Sequence, residues 1–371
     1  MDLATVDACA FDELLAGDRP LLDVRAPAEF AAGTLPAATN LPLLDDEERR
    51  QVGILYKQQG QAAAIDLGHM LVGGESRTAR TAAWCAFVDA HPGALLYCWR
   101  GGLRSQTVQQ WLHDAGRRIA RIDGGYKSLR QHAMARLTTI VDDTRPWVVL
   151  GGRTGSGKTV LLGEFAAAVD LEGIARHRGS AFGYRLSGQP TQVDFEHGLL
   201  RALLQRLRSP APILLFEDES RMVGRVALPE PMHLRLKRSP IVVLEVPREE
   251  RARHIEQEYV HQALAELEQA GEAAPLDALQ ASLTGALDRI TRRLGGARHA
   301  EIRQALVDAC ARHARGDSSG HLAWVAALLE HYYDPMYDYQ LGNHAERVVF
   351  RGDRTAVREW LAERLNAENS G

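Results

Sequence analysis

The chain reads as two α/β domains in tandem, each built on a parallel sheet. Three observations predict this. Short apolar runs alternate with stretches of helical periodicity along most of the sequence. Its 371 residues exceed what one ordinary core organises. Two of the apolar runs, Ala94-Leu95-Leu96 and Trp147-Val148-Val149-Leu150, each lead into a glycine-rich loop. The expected domains are residues 1–135 and 136–371, the second carrying a helical, charge-rich insertion over about 248–335.

Leu21-Leu22-Asp23-Val24-Arg25 reads as a short buried strand, and Pro27-Ala28-Glu29-Phe30 as the turn or short helix after it. Asn40-Leu41-Pro42 returns the chain to an extended course. Asp45 to Gln61 and Thr78 to Ala90 have helical character, the second stopped by His91-Pro92-Gly93. Leu95-Leu96-Tyr97 is a strand that delivers Cys98, and Ser105 to Ala115 a helix ended by Gly116. Residues 131–145 connect the domains. Beyond them the predicted strands are Trp147–Leu150, Val169–Ile174, Ile213–Phe216, Ile241–Val246 and Arg347–Phe350.

A composition 45% apolar and 25% charged describes a globular chain. The net charge of −4 gives no global attraction to nucleic acid, so a polyanion needs a local basic patch. Arg100, Arg104, Arg117, Arg118, Arg121, Lys127 and Arg130 supply one against only Asp114 and Asp123; a solvated basic face is the competing reading. No apolar run is long enough to cross a bilayer, and no secretory signal precedes the cysteines, so reduced thiols in a cytoplasm are expected.

Tyr97-Cys98-Trp99-Arg100-Gly101-Gly102-Leu103-Arg104-Ser105 places one thiol where a strand gives way to a helix. Glycines at 101 and 102 let backbone N–H groups turn inward, and Arg100 and Arg104 add positive charge. Such surroundings lower a thiol pKa toward the reactive range. Cys9, Cys85 and Cys310 lack them and read as buried, inert cysteines. With Leu22-Asp23-Val24-Arg25, Glu29-Phe30, Gly33-Thr34-Leu35-Pro36-Ala37-Ala38 and Asn40-Leu41-Pro42, this loop resembles the rhodanese family, which implies a cysteine carrying sulfur or selenium. One departure keeps a rival open. Five residues separate Cys98 from Arg104, as in cysteine-dependent phosphatases, although Tyr97 stands where those enzymes usually have histidine. The wider loop would equally suit selenophosphate.

Gly152-Arg153-Thr154-Gly155-Ser156-Gly157-Lys158-Thr159 fits the Walker A pattern in a strand-loop-helix context. Backbone N–H groups of Gly152, Gly155, Ser156 and Gly157 would cradle a diphosphate, Lys158 would neutralise it, and Thr159 would ligate Mg²⁺ if that ion binds. Glu217 or Asp218, ending an apolar run, is the Walker B candidate. His177–Gly183 and Gln189–Glu196 are polar segments that could close over a substrate or simply connect elements.

The fusion of these two units resembles the tRNA 2-selenouridine synthase family. Val52-Gly53-Ile54-Leu55-Tyr56-Lys57-Gln58-Gln59-Gly60, Gly124-Gly125-Tyr126-Lys127, His177-Arg178-Gly179-Ser180, Glu217-Asp218-Glu219-Ser220 and Tyr332-Tyr333-Asp334-Pro335-Met336-Tyr337 carry the match beyond the two loops. The resemblance implies a rhodanese-like domain followed by a P-loop NTPase-like domain with its helical insertion. It implies a transferase that replaces the sulfur of wobble 2-thiouridine in tRNA by selenium from selenophosphate, through an S-geranyl intermediate made from geranyl diphosphate. Cys98 would be catalytic, with Trp99, Arg100, Gly101, Gly102, Leu103, Arg104 and Ser105 as its anion loop. Arg117, Arg118, Arg121 and Lys127 would contact tRNA phosphates, Trp99 and Tyr126 are candidate stackers for the uridine, and a selenophosphate-supplying enzyme is an expected partner. An ATP-driven RNA-binding module is the other rival, because the phosphate loop alone does not choose among geranyl diphosphate, a nucleotide and tRNA phosphate.

Overall fold

The structure, a computed structural model, describes residues 3–366. It divides into two compact units, one taking the chain up to Ile140 together with Thr191–Gln205, the other Val141–Pro190 and the chain from Arg206 onward.

The first unit is a five-stranded parallel sheet of β1 (Thr5–Val6), β2 (Leu21–Asp23), β3 (Ala38–Asn40), β4 (Leu95–Tyr97) and β5 (Ala120–Ile122), in the order β1-β5-β4-β2-β3. Helices cover both faces, so the central strands β2 and β4 are buried throughout and read as continuous apolar runs. The charged end of β2 is structural. Arg25 is fully buried, forks onto Asp23 at 2.6 and 2.8 Å, donates to Gly33 O at 2.9 Å and lies 3.9 Å from the centre of the Tyr126 ring.

A segment distant in sequence completes this unit. Asp194 accepts from Thr34 N at 2.7 Å, His197 Nδ1 donates to Thr34 O at 2.7 Å, and Arg130 pairs with Glu196. Phe195, Leu199, Leu200 and Leu203 of the helix Gln192–Leu207 are buried without measurable exposure.

The second unit holds β6 (Trp147–Gly151), β7 (Ala168–Val169), β8 (Leu214–Glu217), the hairpin β9 (Met222–Val223) and β10 (Val226–Ala227), β11 (Ile241–Leu244) and β12 (Val348–Gly352). Its five-stranded sheet is parallel, in the order β12-β11-β6-β8-β7. Between β11 and β12 lies the helical layer, from Arg248–Glu256 to Asp334–Gly342, packed on its own core around Leu287, Leu306, Trp324 and Leu329.

Some local expectations need correction. The strand read over Val169–Ile174 stops at Val169, because the Asp170 side chain accepts from Gly173 N and starts the helix Leu171–Ala175. The last strand lies at Val348–Gly352 rather than Arg347–Phe350, since Arg347 closes a short 3₁₀ turn. The two charged helices extend to Asp46–Leu71 and Gly74–Ala90, the first kinked at Gly60, whose φ of 87° is outside the helical region. Cys9 is exposed on a 3₁₀ turn, not buried.

Burial pushes the His197 imidazole down from 6.5 to about 4. The unfolded chain therefore binds a proton that the folded unit refuses, so this stability is present above about pH 6.5 and is lost as pH falls toward 4. We expect urea unfolding to show a loss of about 2 kcal/mol from this residue between about pH 7 and pH 5, absent in His197→Asn. Equal pH dependence in both proteins would contradict the assignment.

Candidate functional site

Cys98 follows the central strand β4, at the carboxyl end of the sheet where parallel strands leave a crevice. The turn is locked by the helix Gly125–Thr139: Tyr126 N donates to Cys98 O at 2.8 Å and Lys127 N to Trp99 O at 2.9 Å. Gly101 and Gly125 sit at φ +65° and +60°. A Cβ on Gly125 would come within 2.3 Å of Cys98 O and 2.4 Å of Gly101 N, so the approach excludes any side chain. The thiol is buried at 3% exposure, with Sγ 3.3 Å from Ser105 Oγ, which itself donates to Gly102 O at 3.1 Å.

The basic residues around this loop divide into three kinds. Arg104 is committed to Glu29 through both terminal guanidinium nitrogens, Nη1 and Nη2; burial raises the Glu29 carboxyl, but the bond and charge of Arg104 bring it below its ordinary range. Arg121 donates to Gly101 O at 2.6 Å and braces the loop from behind, and Arg117 pairs with Asp89 at 2.9 Å. Arg100, Arg118 and Lys127 are exposed, as are Trp99 and Leu103. Tyr126 is buried against Trp99, with ring centres 5.4 Å apart.

The second loop follows β6, the central strand of the other sheet. Lys158 Nζ donates to Gly152 O at 2.9 Å, folding the side chain over the cradle. Gly155, at φ +81°, lies where a Cβ would meet Arg251 O at 2.7 Å. The Ser156 hydroxyl is buried inside the loop with no protein partner among the described residues. Arg251 supports the loop by donating to Thr154 O at 3.2 Å while forking onto Asp334 at 2.7 and 2.8 Å.

Of the two acidic candidates, Glu217 is the one brought to the loop: Thr159 Oγ1 donates to its Oε1 at 2.6 Å. Asp218 lines the cleft farther along. Glu172, which the sequence did not single out, and Glu219, of the Glu217-Asp218-Glu219-Ser220 run, join Glu217 around Thr159 and Lys158. Burial first, then mutual repulsion, raises these carboxyls, Glu217 to about 7. Among the described residues no cluster of His, Cys, Asp and Glu is arranged to hold a metal by itself. Of the two polar segments, Arg178, Gly179 and Ser180 line the cleft with Lys158, whereas Asp194 and Glu196 serve the first unit. No local signal marked Glu172 or Arg251, since lone charged residues in helices are common.

Residues 8–132 match the model of the rhodanese-like domain, and residues 145–368 the model described as the tRNA 2-selenouridine synthase AAA domain. The chain is 48% identical over 96% of its length to a tRNA 2-selenouridine synthase of Shewanella loihica, covering 96% of that protein. It is 49% identical over 95% of its length to one of Aeromonas salmonicida, and 47% over 96% to one of Cupriavidus necator, covering 96% and 97% of them.

The contact at Gly125 generates a direct test. Gly125→Ala should destabilise the first unit by about 3 kcal/mol or more, because strain at positive φ adds to a clash with backbone that has no room to move. Calorimetric melting reads this; an unchanged transition would show the loop to be looser than described.

Proposed function

Because the chain belongs to the tRNA 2-selenouridine synthase family, we propose that it replaces the 2-thio sulfur of wobble 2-thiouridine in tRNA by selenium from selenophosphate, through an S-geranyl intermediate. An enzyme of selenium transfer in tRNA modification follows from membership. The donor, the intermediate and the division of labour are our reading. The observation that carries it is the presence of two unlike anion loops, a buried thiol in one and a phosphate cradle with an unpartnered buried hydroxyl, Ser156, in the other.

In the first step the thiocarbonyl sulfur is alkylated by geranyl diphosphate, whose diphosphate rests on Gly152, Gly155, Ser156, Gly157 and Lys158. Alkylation turns a poor leaving group into a better one. Mg²⁺ characteristically takes one or two protein ligands and completes its shell with phosphates and water; Thr159 and Glu217, 2.6 Å apart, fit that share, and the ion would neutralise the departing diphosphate. In the second step selenium displaces the alkylated sulfur at C2. Cys98 handles the selenophosphate, with the N–H groups of Gly101 and Gly102 and the exposed Arg100 holding the anion; the selenium–C2 bond forms as geranylthiol leaves, and water then breaks the selenium–phosphorus bond and releases phosphate. Arg118 and Lys127 are placed to meet tRNA phosphates, whereas Arg117 would have to leave Asp89 first.

The phosphatase reading loses support from Arg104, because its guanidinium is spent on Glu29. Among the described residues no helix is long and apolar enough to cross a membrane, which is compatible with work in the cytoplasm beside a selenophosphate-supplying enzyme.

Nucleoside mass spectrometry of tRNA from cells carrying single variants tests the scheme. Lys158→Ala should leave 2-thiouridine unmodified, while Cys98→Ser should accumulate the S-geranyl nucleoside and lose selenouridine at least about a hundredfold. Normal selenouridine in Cys98→Ser would remove the thiol from the reaction. Normal geranylation in Lys158→Ala would remove the phosphate loop from the first step.

A further inference from the structure

The cleft that contains Lys158 is more spacious and more basic than a diphosphate requires. It encloses about 1040 Å³, at the top of the range for small-molecule sites. The phosphate loop forms one part of its lining. Another part is a group of arginines, Arg178, Arg185, Arg289 and Arg293, that the chemistry proposed for the loop does not use.

Three of these arginines meet around one histidine. His177 is half-buried; burial first, then the charges of Arg185, Arg289 and Arg178, hold its imidazole below the ordinary range. Little negative charge answers them. Arg178 lies 3.6 Å from Glu266 and over the Tyr259 ring, and Arg289 donates to Ala181 O at 3.0 Å. Arg185 Nε is buried without a hydrogen-bond partner, and no carboxylate pairs with this side chain among the described residues. Guanidiniums gathered in this way repel one another unless an anion sits among them, and their planar forks match phosphate oxygens two at a time.

The segment that carries Arg185 is joined to the hairpin of β9 and β10. Gln189 donates to Val223 O at 2.8 Å and accepts from Arg225 N at 2.7 Å. His177 packs against Gly224, where a Cβ would come within 2.7 Å of the imidazole ring. The joined piece exposes Tyr184, next in sequence to Arg185, and Arg221 and Arg225 on the hairpin. One phosphate or diphosphate would occupy a single point of this surface. Basic groups running from a cleft onto a hairpin, with an exposed aromatic ring among them, suit a chain of phosphates whose bases can stack.

We propose that the arginine cluster around His177 is a second anion site of the cleft, which grips backbone phosphates of a single-stranded stretch of the substrate tRNA while Tyr184 offers a stacking face. The proposal rests on the reading of tRNA as the substrate and is independent of which anion the phosphate loop takes.

Anisotropy titration of labelled 2-thiouridine tRNA with the full chain, repeated across salt concentrations, tests this. Arg185→Gln combined with Arg289→Gln should weaken binding at least about tenfold and lower the log-log salt slope by about 1.4 to 1.8, two phosphate contacts being lost. Calorimetric titration of the same variant with inorganic diphosphate should show unchanged affinity, since the phosphate loop is intact. Arg185→Lys should keep the salt slope but bind tRNA more weakly, because the charge stays and the fork is lost. On the unaltered chain, saturating tRNA should protect Arg185 and Arg289 from phenylglyoxal, read by peptide mass spectrometry, whereas inorganic diphosphate should not. If the double variant loses both ligands, that protection decides alone. Unchanged tRNA affinity and slope in the double variant, or no protection by tRNA, overturns the arginine site. So does a double variant that loses inorganic diphosphate yet holds tRNA, which would assign the cluster to the small ligand. An unaltered chain that binds no tRNA would sink the reading of tRNA as substrate, and this inference with it.

Discussion

The second unit depends on one buried ion pair. Arg251 and Asp334 are 1% and 7% exposed in their side chains, far apart in sequence, and joined by two hydrogen bonds. Charges at such depth are tolerated only when paired and fully bonded, and removing one partner of such a pair costs about 3–5 kcal/mol. Arg251 also donates to Thr154 O and to Val246 O at 3.1 Å. One side chain therefore ties the phosphate loop, the end of β11 and the segment around Asp334 into a single body. Ile255, one helical turn after Arg251, lies against Gly155 of the loop. The helical layer is thus packed into the support of this loop.

Both loops follow one rule of parallel sheets. Each leaves the carboxyl end of a central strand, β4 or β6, where N–H groups emerge without sheet partners and can be directed at an anion. Glycine is obligatory where backbone meets backbone, at Gly125 against Cys98 O and at Gly155 against Arg251 O. The chemistries then diverge through what surrounds the N–H groups. A thiol with a serine hydroxyl beside it suits a covalent chalcogen, whereas a lysine, a threonine and three crowded carboxylates suit a phosphate and its counter-ion.

Much of this was legible in the sequence, for a physical reason. Strands buried on both faces are continuous apolar runs, so β2, β4, β6, β8 and β11 stand out, and glycine-rich loops after such strands mark anion sites. What stayed hidden depends on distant partners. Nothing in Thr191-Gln192-Val193-Asp194 signals that its helix completes the first unit, because the bonds that hold it go to the backbone of Thr34. Arg104 reads as an anion ligand from the loop alone, whereas in the fold Glu29 takes both of its terminal nitrogens.

The central claim is that the two loops act in succession on one tRNA, with binding of phosphate but no hydrolysis of nucleotide. The most direct measurement is a single-turnover reaction of the purified chain with 2-thiouridine tRNA, geranyl diphosphate and selenophosphate, with ATP omitted. The account predicts complete conversion to 2-selenouridine, with one diphosphate released per tRNA converted and the S-geranyl nucleoside appearing first. Selenium incorporation that requires ATP hydrolysis, or that proceeds at full rate without geranyl diphosphate, would contradict it.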